Sequence, residues 1–133
     1  MDLALPYLIG VGLAFGVSVF ARVVGLDRDR AFYPTVLIVI AMLYELYAVI
    51  GGSTRALALE AIGAVGFSVL AVLGFKRNLS FAAAGLAAHG VYDYFHGHLF
   101  TNPGVPAFWP SFCMSYDVTA AACLAWLQRK GIR

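Results

Sequence analysis

The sequence predicts an all-α integral membrane protein, a bundle of five transmembrane helices, and three observations carry that prediction. Apolar residues make up 62% of the chain and charged residues only 12%, whereas in soluble domains about a quarter of the residues are charged. Five apolar stretches follow one another, each of about 20 residues and so long enough to cross about 30 Å of hydrocarbon. The breaks between them read GLDRDR, GGSTR, KRN and TNPGVP, with Gly, Pro and Asn as turn formers and Lys or Arg at interfacial ends. In a chain of 133 residues, five spans leave only short loops, so a single transmembrane domain over 1–133 is expected, with no soluble catalytic domain.

The first stretch runs from Leu3 to Val24. The first residues carry Asp2 and no Lys or Arg precedes Arg22, so the basic start of a signal peptide is lacking and the stretch is expected to be a retained helix. Within it, Gly12 and Gly16 form a small-xxx-small pair, a candidate contact for another helix, a second copy or a membrane complex. The second stretch, Phe32 to Gly51, holds Glu45, and the third, Ala56 to Phe75, holds Glu60 near its start. The fourth, Leu79 to His98, is rich in alanine and carries His89, Asp93 and His96. The fifth, Trp109 to Leu127, carries Cys113 and Asp117. Between the last two lies Leu99 to Trp109, whose prolines limit its freedom; it reads either as a stiff lid over a site or as a plain connector.

Loop charges give an expected orientation. With five spans, Arg22, Arg28, Arg30, Lys76, Arg77, Arg129, Lys130 and Arg133 fall on one side and Arg55 on the other. The positive-inside rule then puts the N-terminus outside and the C-terminus in the cytoplasm, with a bacterial inner membrane as the expected location. Trp109 belongs to the outer aromatic belt and Trp126 to the inner one. Cys113 and Cys123, about 15 Å apart along one helix, are too far apart to form a disulfide. The small net charge of +2 excludes a nucleic-acid footprint.

The residues that point to chemistry are the intramembrane ionisable groups. Glu45, Glu60, Asp93 and Asp117 contribute one carboxylate from each of four helices, and counting from the outer ends puts all four on the order of 6 to 11 Å below the surface. Helical phase puts His89, Tyr92, Asp93 and His96 on one face. The face of Glu60 continues through Gly63, Ala64, Phe67, Ala71 and Gly74, opposite Ile62, Val65 and Val69. Small residues let helices approach closely in lipid, so that face should turn inward, and each carboxylate is expected to point into the bundle. Of the tyrosines Tyr44, Tyr47, Tyr92, Tyr94 and Tyr116, only Tyr92 is in phase with the histidines, and the others read as belt or packing residues.

A carboxylate near the middle of a membrane costs roughly 2.5 to 3.5 kcal/mol on insertion scales, and no Lys or Arg lies at that depth. The counter-charge must be a bound cation, shared protons or protonated histidine. Residues His89, Asp93 and His96, at i, i+4 and i+7, can present two imidazoles and a carboxylate to one divalent metal such as zinc, iron or manganese. Glu60, Glu45 and Asp117 would supply further ligands or a general base acting on a metal-bound water. Two other readings stand beside this one: passage of protons or cations, and interhelical hydrogen bonding in an accessory subunit of a membrane complex. Passage needs polar groups in both halves of the bilayer, and the inner halves offer only Ser18 and Ser68. His98 is out of phase with His89 and reads as interfacial, and Cys113 reads first as a small buried residue and second as a soft ligand.

The runs LAAHGVYDYFHG, TNPGVP and FCMSYDV, together with Glu60, resemble a family of small polytopic membrane proteins known only as a domain of unknown function. Its pattern has His, then Trp-Asp, then a pair of His, followed by N-P-x-x-P and by a Cys four residues before an Asp. This chain has Tyr92 where that family has Trp, and Gly97 where it has the second His. The resemblance implies that Glu60, His89, Asp93, His96, Cys113 and Asp117 belong to one motif. It implies no activity. The leading expectation is a metal-dependent membrane enzyme, with hydrolysis as the first reaction to consider, acting on a lipid or another amphipathic substrate from the outer leaflet.

Overall fold

A computed structural model describes residues 3–131; Asp2, which bears on the signal-peptide reading, and Arg133, which bears on the loop charges, lie outside them. The described chain is all helix and loop: α1 Leu5–Val24, α2 Phe32–Ile50, α3 Thr54–Lys76, α4 Ser80–Leu99 and α5 Trp109–Arg129. Three of these, α1, α2 and α3, are long and apolar enough to cross a membrane.

The breaks terminate the helices by local chemistry. Gly25 takes a left-handed conformation at φ 94° and returns its N–H to Ala21 O, closing α1. Ser53 caps α3 by accepting from Ala56 N at 3.0 Å. The Asn78 side chain accepts from Ser80 N at 2.8 Å where α4 begins. In the first loop, Asp27 is buried and paired with Arg22 at 3.0 Å, a tie that its loop position did not suggest.

Packing places α4 against α5 and α3, α2 against α3 and α4, and α1 against α5. Helix α3 buries Glu60, Ala64, Ala71 and Gly74 and exposes Ile62, Val65 and Val69, the division expected of its small-residue stripe. Close approach on α1 is made by Gly10 and Ala14. A Cβ at Gly10 would collide with Ser115 Oγ and the Phe112 carbonyl, whereas Gly12 and Gly16 face open space.

Leu37, Ala71, Leu86, Ala120 and Leu124 belong to an apolar core. Apart from Asp27, the buried polar residues gather toward the other end of the bundle. Tyr44, Glu60 and Asp93 each lie six residues from the end of their helix on that side, about 9 Å along the axis. Large apolar side chains such as Val39, Val49, Ile62, Val65, Val91 and Phe95 are exposed around the outside.

Candidate metal centre

On α4 the spacing of His89, Asp93 and His96 keeps three polar side chains on one face, and all three are buried. The neighbouring helices decide which groups they meet. His89 Nδ1 lies 2.6 Å from Asp117 Oδ2 of α5 and 3.4 Å from Asp93 Oδ2. The Cys113 thiol, one turn before Asp117, stands 3.7 Å from both of its carboxylate oxygens. His89, Asp93, Cys113 and Asp117 are all buried, and each offers a ligand atom within 4.8 Å of every other, so the four could hold a metal ion.

The donor separations can be compared with those a bound ion requires. Zinc bonds of about 2.0 to 2.2 Å to nitrogen and oxygen, set tetrahedrally, hold those ligands about 3.4 Å apart, and sulfur at about 2.3 Å sits slightly farther from its neighbours. The His89–Asp93 separation of 3.4 Å and the Cys113–Asp117 separation of 3.7 Å match these values. The His89–Asp117 contact of 2.6 Å is shorter, as a hydrogen bond between the two requires. Asp93 Oδ2 has no hydrogen-bond donor, because His89 Nδ1 already serves Asp117. An acceptor left open beside a thiol, an imidazole and a second carboxylate suits a cation. Every described Lys and Arg is exposed, so none neutralises the pair of carboxylates.

A second cluster lies one turn along α4. His96 is not in the four-residue group: its Nε2 is 2.6 Å from Glu60 Oε2. Glu60 also accepts from Tyr92 Oη at 2.5 Å and from Asn102 Nδ2 at 2.7 Å. Three side chains thus engage this carboxylate, which orients the His96 imidazole. The difference from the i, i+4, i+7 expectation has a simple cause. Seven residues span about 10 Å of helix, farther than one ion reaches, and the Glu60 side chain of α3 meets His96 first.

Tyr44 joins the two clusters. Its hydroxyl donates to Asp93 Oδ1 at 2.7 Å, and its ring stacks on His96 with centroids 4.0 Å apart and planes within 9°. Asn102, from the loop between α4 and α5, bonds both Glu60 and the Tyr44 carbonyl. That loop is held down at Gly104, where a Cβ would strike the Tyr47 carbonyl and Gly51. The loop thus borders the site and contributes a side chain to it.

Of the six residues singled out for the site, five enter these clusters. Glu45 does not: it is half-buried and lines a groove with Met42, Ala61, Ala64, Val65 and Ser68. Tyr44, its neighbour 100° around the helix, takes the inward position on the stripe of Leu37, Ala41 and Ala48. Reading along that stripe would have found Tyr44. Nothing local in the sequence marks Asn102, which reaches the site through the path of a loop. His98 is exposed.

No protein-family model, curated protein or solved structure matches this chain, so its chemistry is read from its own geometry.

Proposed function

We propose that the protein is a membrane-embedded, metal-dependent enzyme, and that hydrolysis of a lipid or another amphipathic molecule is its reaction. The single observation that carries this reading is the convergence of two buried carboxylates and a thiol on one imidazole with no lysine or arginine to balance them. Burying such charge without a partner is strongly unfavourable, and a divalent cation offsets it with one group. His89, Asp93, Cys113 and Asp117 are the ligands in this reading. A bound metal lowers the pKa of its water and polarises a carbonyl or phosphoryl oxygen. The Glu60 carboxylate holds the His96 imidazole in place, as a carboxylate orients a histidine base in other hydrolytic sites, so His96 is the group that moves the proton.

All five helices cross the membrane in this proposal. Helices α4 and α5 are less apolar than the others because they carry the site. Their polar groups His89, Asp93, His96, Cys113 and Asp117 are turned inward, while Val91, Phe95, Val118 and Trp126 are exposed. Five spans with the basic loops inside put the site toward the extracytoplasmic face. The six residues grouped by the family resemblance all lie in the two clusters joined by Tyr44, which supports membership of that family.

Metal analysis of protein purified without chelators tests this reading, comparing the native chain with His89→Ala and Asp93→Ala. Stoichiometric metal that is lost in both variants is expected. Metal well below stoichiometry in the native protein, unchanged by either substitution, would sink it. If the site instead passes protons or cations, flux into liposomes abolished by Glu60→Gln would appear without hydrolysis.

A further inference from the structure

An apolar groove runs between α2 and α5 and ends on the candidate metal centre. Val36, Ile40 and Leu43 form one wall, Phe112 and Tyr116 the other, and Leu13 of α1 borders it. Its volume is about 460 Å³, within the range of roughly 300 to 1,000 Å³ common to small-molecule sites. Cys113 belongs both to this wall and to the metal group, so a molecule in the groove abuts a ligand of the proposed ion. At the same end Trp109 lines the groove and keeps its indole N–H buried without an acceptor. The mouth lies at Thr35 and Val39, which are exposed, on the apolar flank of the bundle.

Size and chemistry decide the occupant. From Phe32 to Leu43 the groove follows about 16 Å of helix. No charged side chain lines the groove, so nothing there recognises a charged peptide or a nucleotide. A hydrocarbon chain matches the length, the volume and the lining. Beside this end of the groove Trp109 Nε1 is a buried donor with no acceptor, and such donors are seldom left unmatched; a turn of the indole would bring it to an acceptor oxygen where the chain joins its headgroup.

We infer that this groove seats one acyl chain of a membrane lipid, which enters sideways past Val39 and brings its ester or amide oxygen to Trp109 and the Cys113 edge of the metal centre. Presentation of that bond to the ion rests on the reading given under Proposed function; the seating of the chain does not.

The test is photo-crosslinking of the full chain in liposomes doped with a phospholipid that carries a diazirine midway along one acyl chain. Adducts should concentrate on Val36, Ile40 and Phe112. Val39→Trp blocks the mouth from α2 and Leu13→Trp blocks it from α1. Each should cut groove adducts by roughly tenfold, the factor set by about 1.4 kcal/mol of lost occupancy, and Val65→Trp on the outer face of α3 should leave them unchanged. Adducts spread evenly over the exposed Val91, Phe95 and Val118, or groove adducts indifferent to both blocking variants, would overturn the proposal. Metal content is read on the same preparations. Groove adducts without metal keep the chain site and sink the enzyme reading, and metal without groove adducts does the reverse.

Discussion

Replacing Tyr44 by Phe removes one oxygen and little else, which makes it a direct test of the coupling between the two clusters. The ring stays, and with it the stacking on His96. What disappears is the 2.7 Å bond to Asp93 Oδ1. Asp93 Oδ2 already has no donor, so the variant leaves a fully buried carboxylate without any hydrogen bond. A hydrogen bond to a charged group is worth about 1.5 to 3 kcal/mol net. Loss of an outer partner that orients a metal ligand typically costs 10- to 100-fold in affinity, or about 1.4 to 2.7 kcal/mol. The two ranges overlap, so metal binding should weaken by about 10- to 100-fold. Competition against a chromophoric chelator in detergent measures the Kd directly. Tyr47→Phe is the control, since Tyr47 packs on Trp109 with ring centroids 5.0 Å apart and bonds no ligand. An unchanged Kd in Tyr44→Phe, or an equal loss in Tyr47→Phe, would refute the reasoning.

Other outcomes test the remaining parts of the site and fold. Cys113→Ser should lower zinc affinity more than manganese affinity, because only the thiol is a soft ligand; parallel losses for both ions would remove Cys113 from the ligand set. Glu60→Gln must turn an amide N–H₂ toward one of the donors His96, Tyr92 or Asn102. It should cost about 1 to 3 kcal/mol of stability, read as a lower melting temperature, while metal content is retained. Glu45→Ala should change neither metal content nor activity, since Glu45 lies outside both clusters. Gly10→Ala should destabilise by about 1 to 3 kcal/mol through overpacking against α5, and Gly12→Ala, facing open space, should be neutral or stabilising in the same melt. For orientation, a membrane-impermeant maleimide applied to intact cells should label Ser53→Cys and spare Asn78→Cys; the opposite pattern would invert the proposed topology.

Much of the site was legible because burial of charge in an apolar chain is so costly that an Asp or Glu within a long apolar stretch has to face inward. His89, Asp93 and Asp117 were found in this way. The helix limits were legible too, since Gly25, Ser53 and Asn78 act through bonds to their own neighbours. Phase arguments on α3 succeeded because its stripe of Gly and Ala is long and unbroken. On α2 they set Glu45 with Ala41 and Ala48, whereas the buried stripe that begins at Leu37 and runs through those two alanines carries Tyr44.

By itself the sequence determined the five helical stretches, their ends and the set of ionisable groups within apolar stretches, because each follows from local bonding or from one residue's cost of transfer. It could not decide which of those groups meet. Membership of a site depends on side chains from four helices and a loop converging within a few ångströms, and no periodicity along one helix encodes that distance. Tertiary structure alone divided the expected cluster in two, gave Cys113 and Asp117 to His89, gave His96 to Glu60, and set Tyr44 and Asn102 between them.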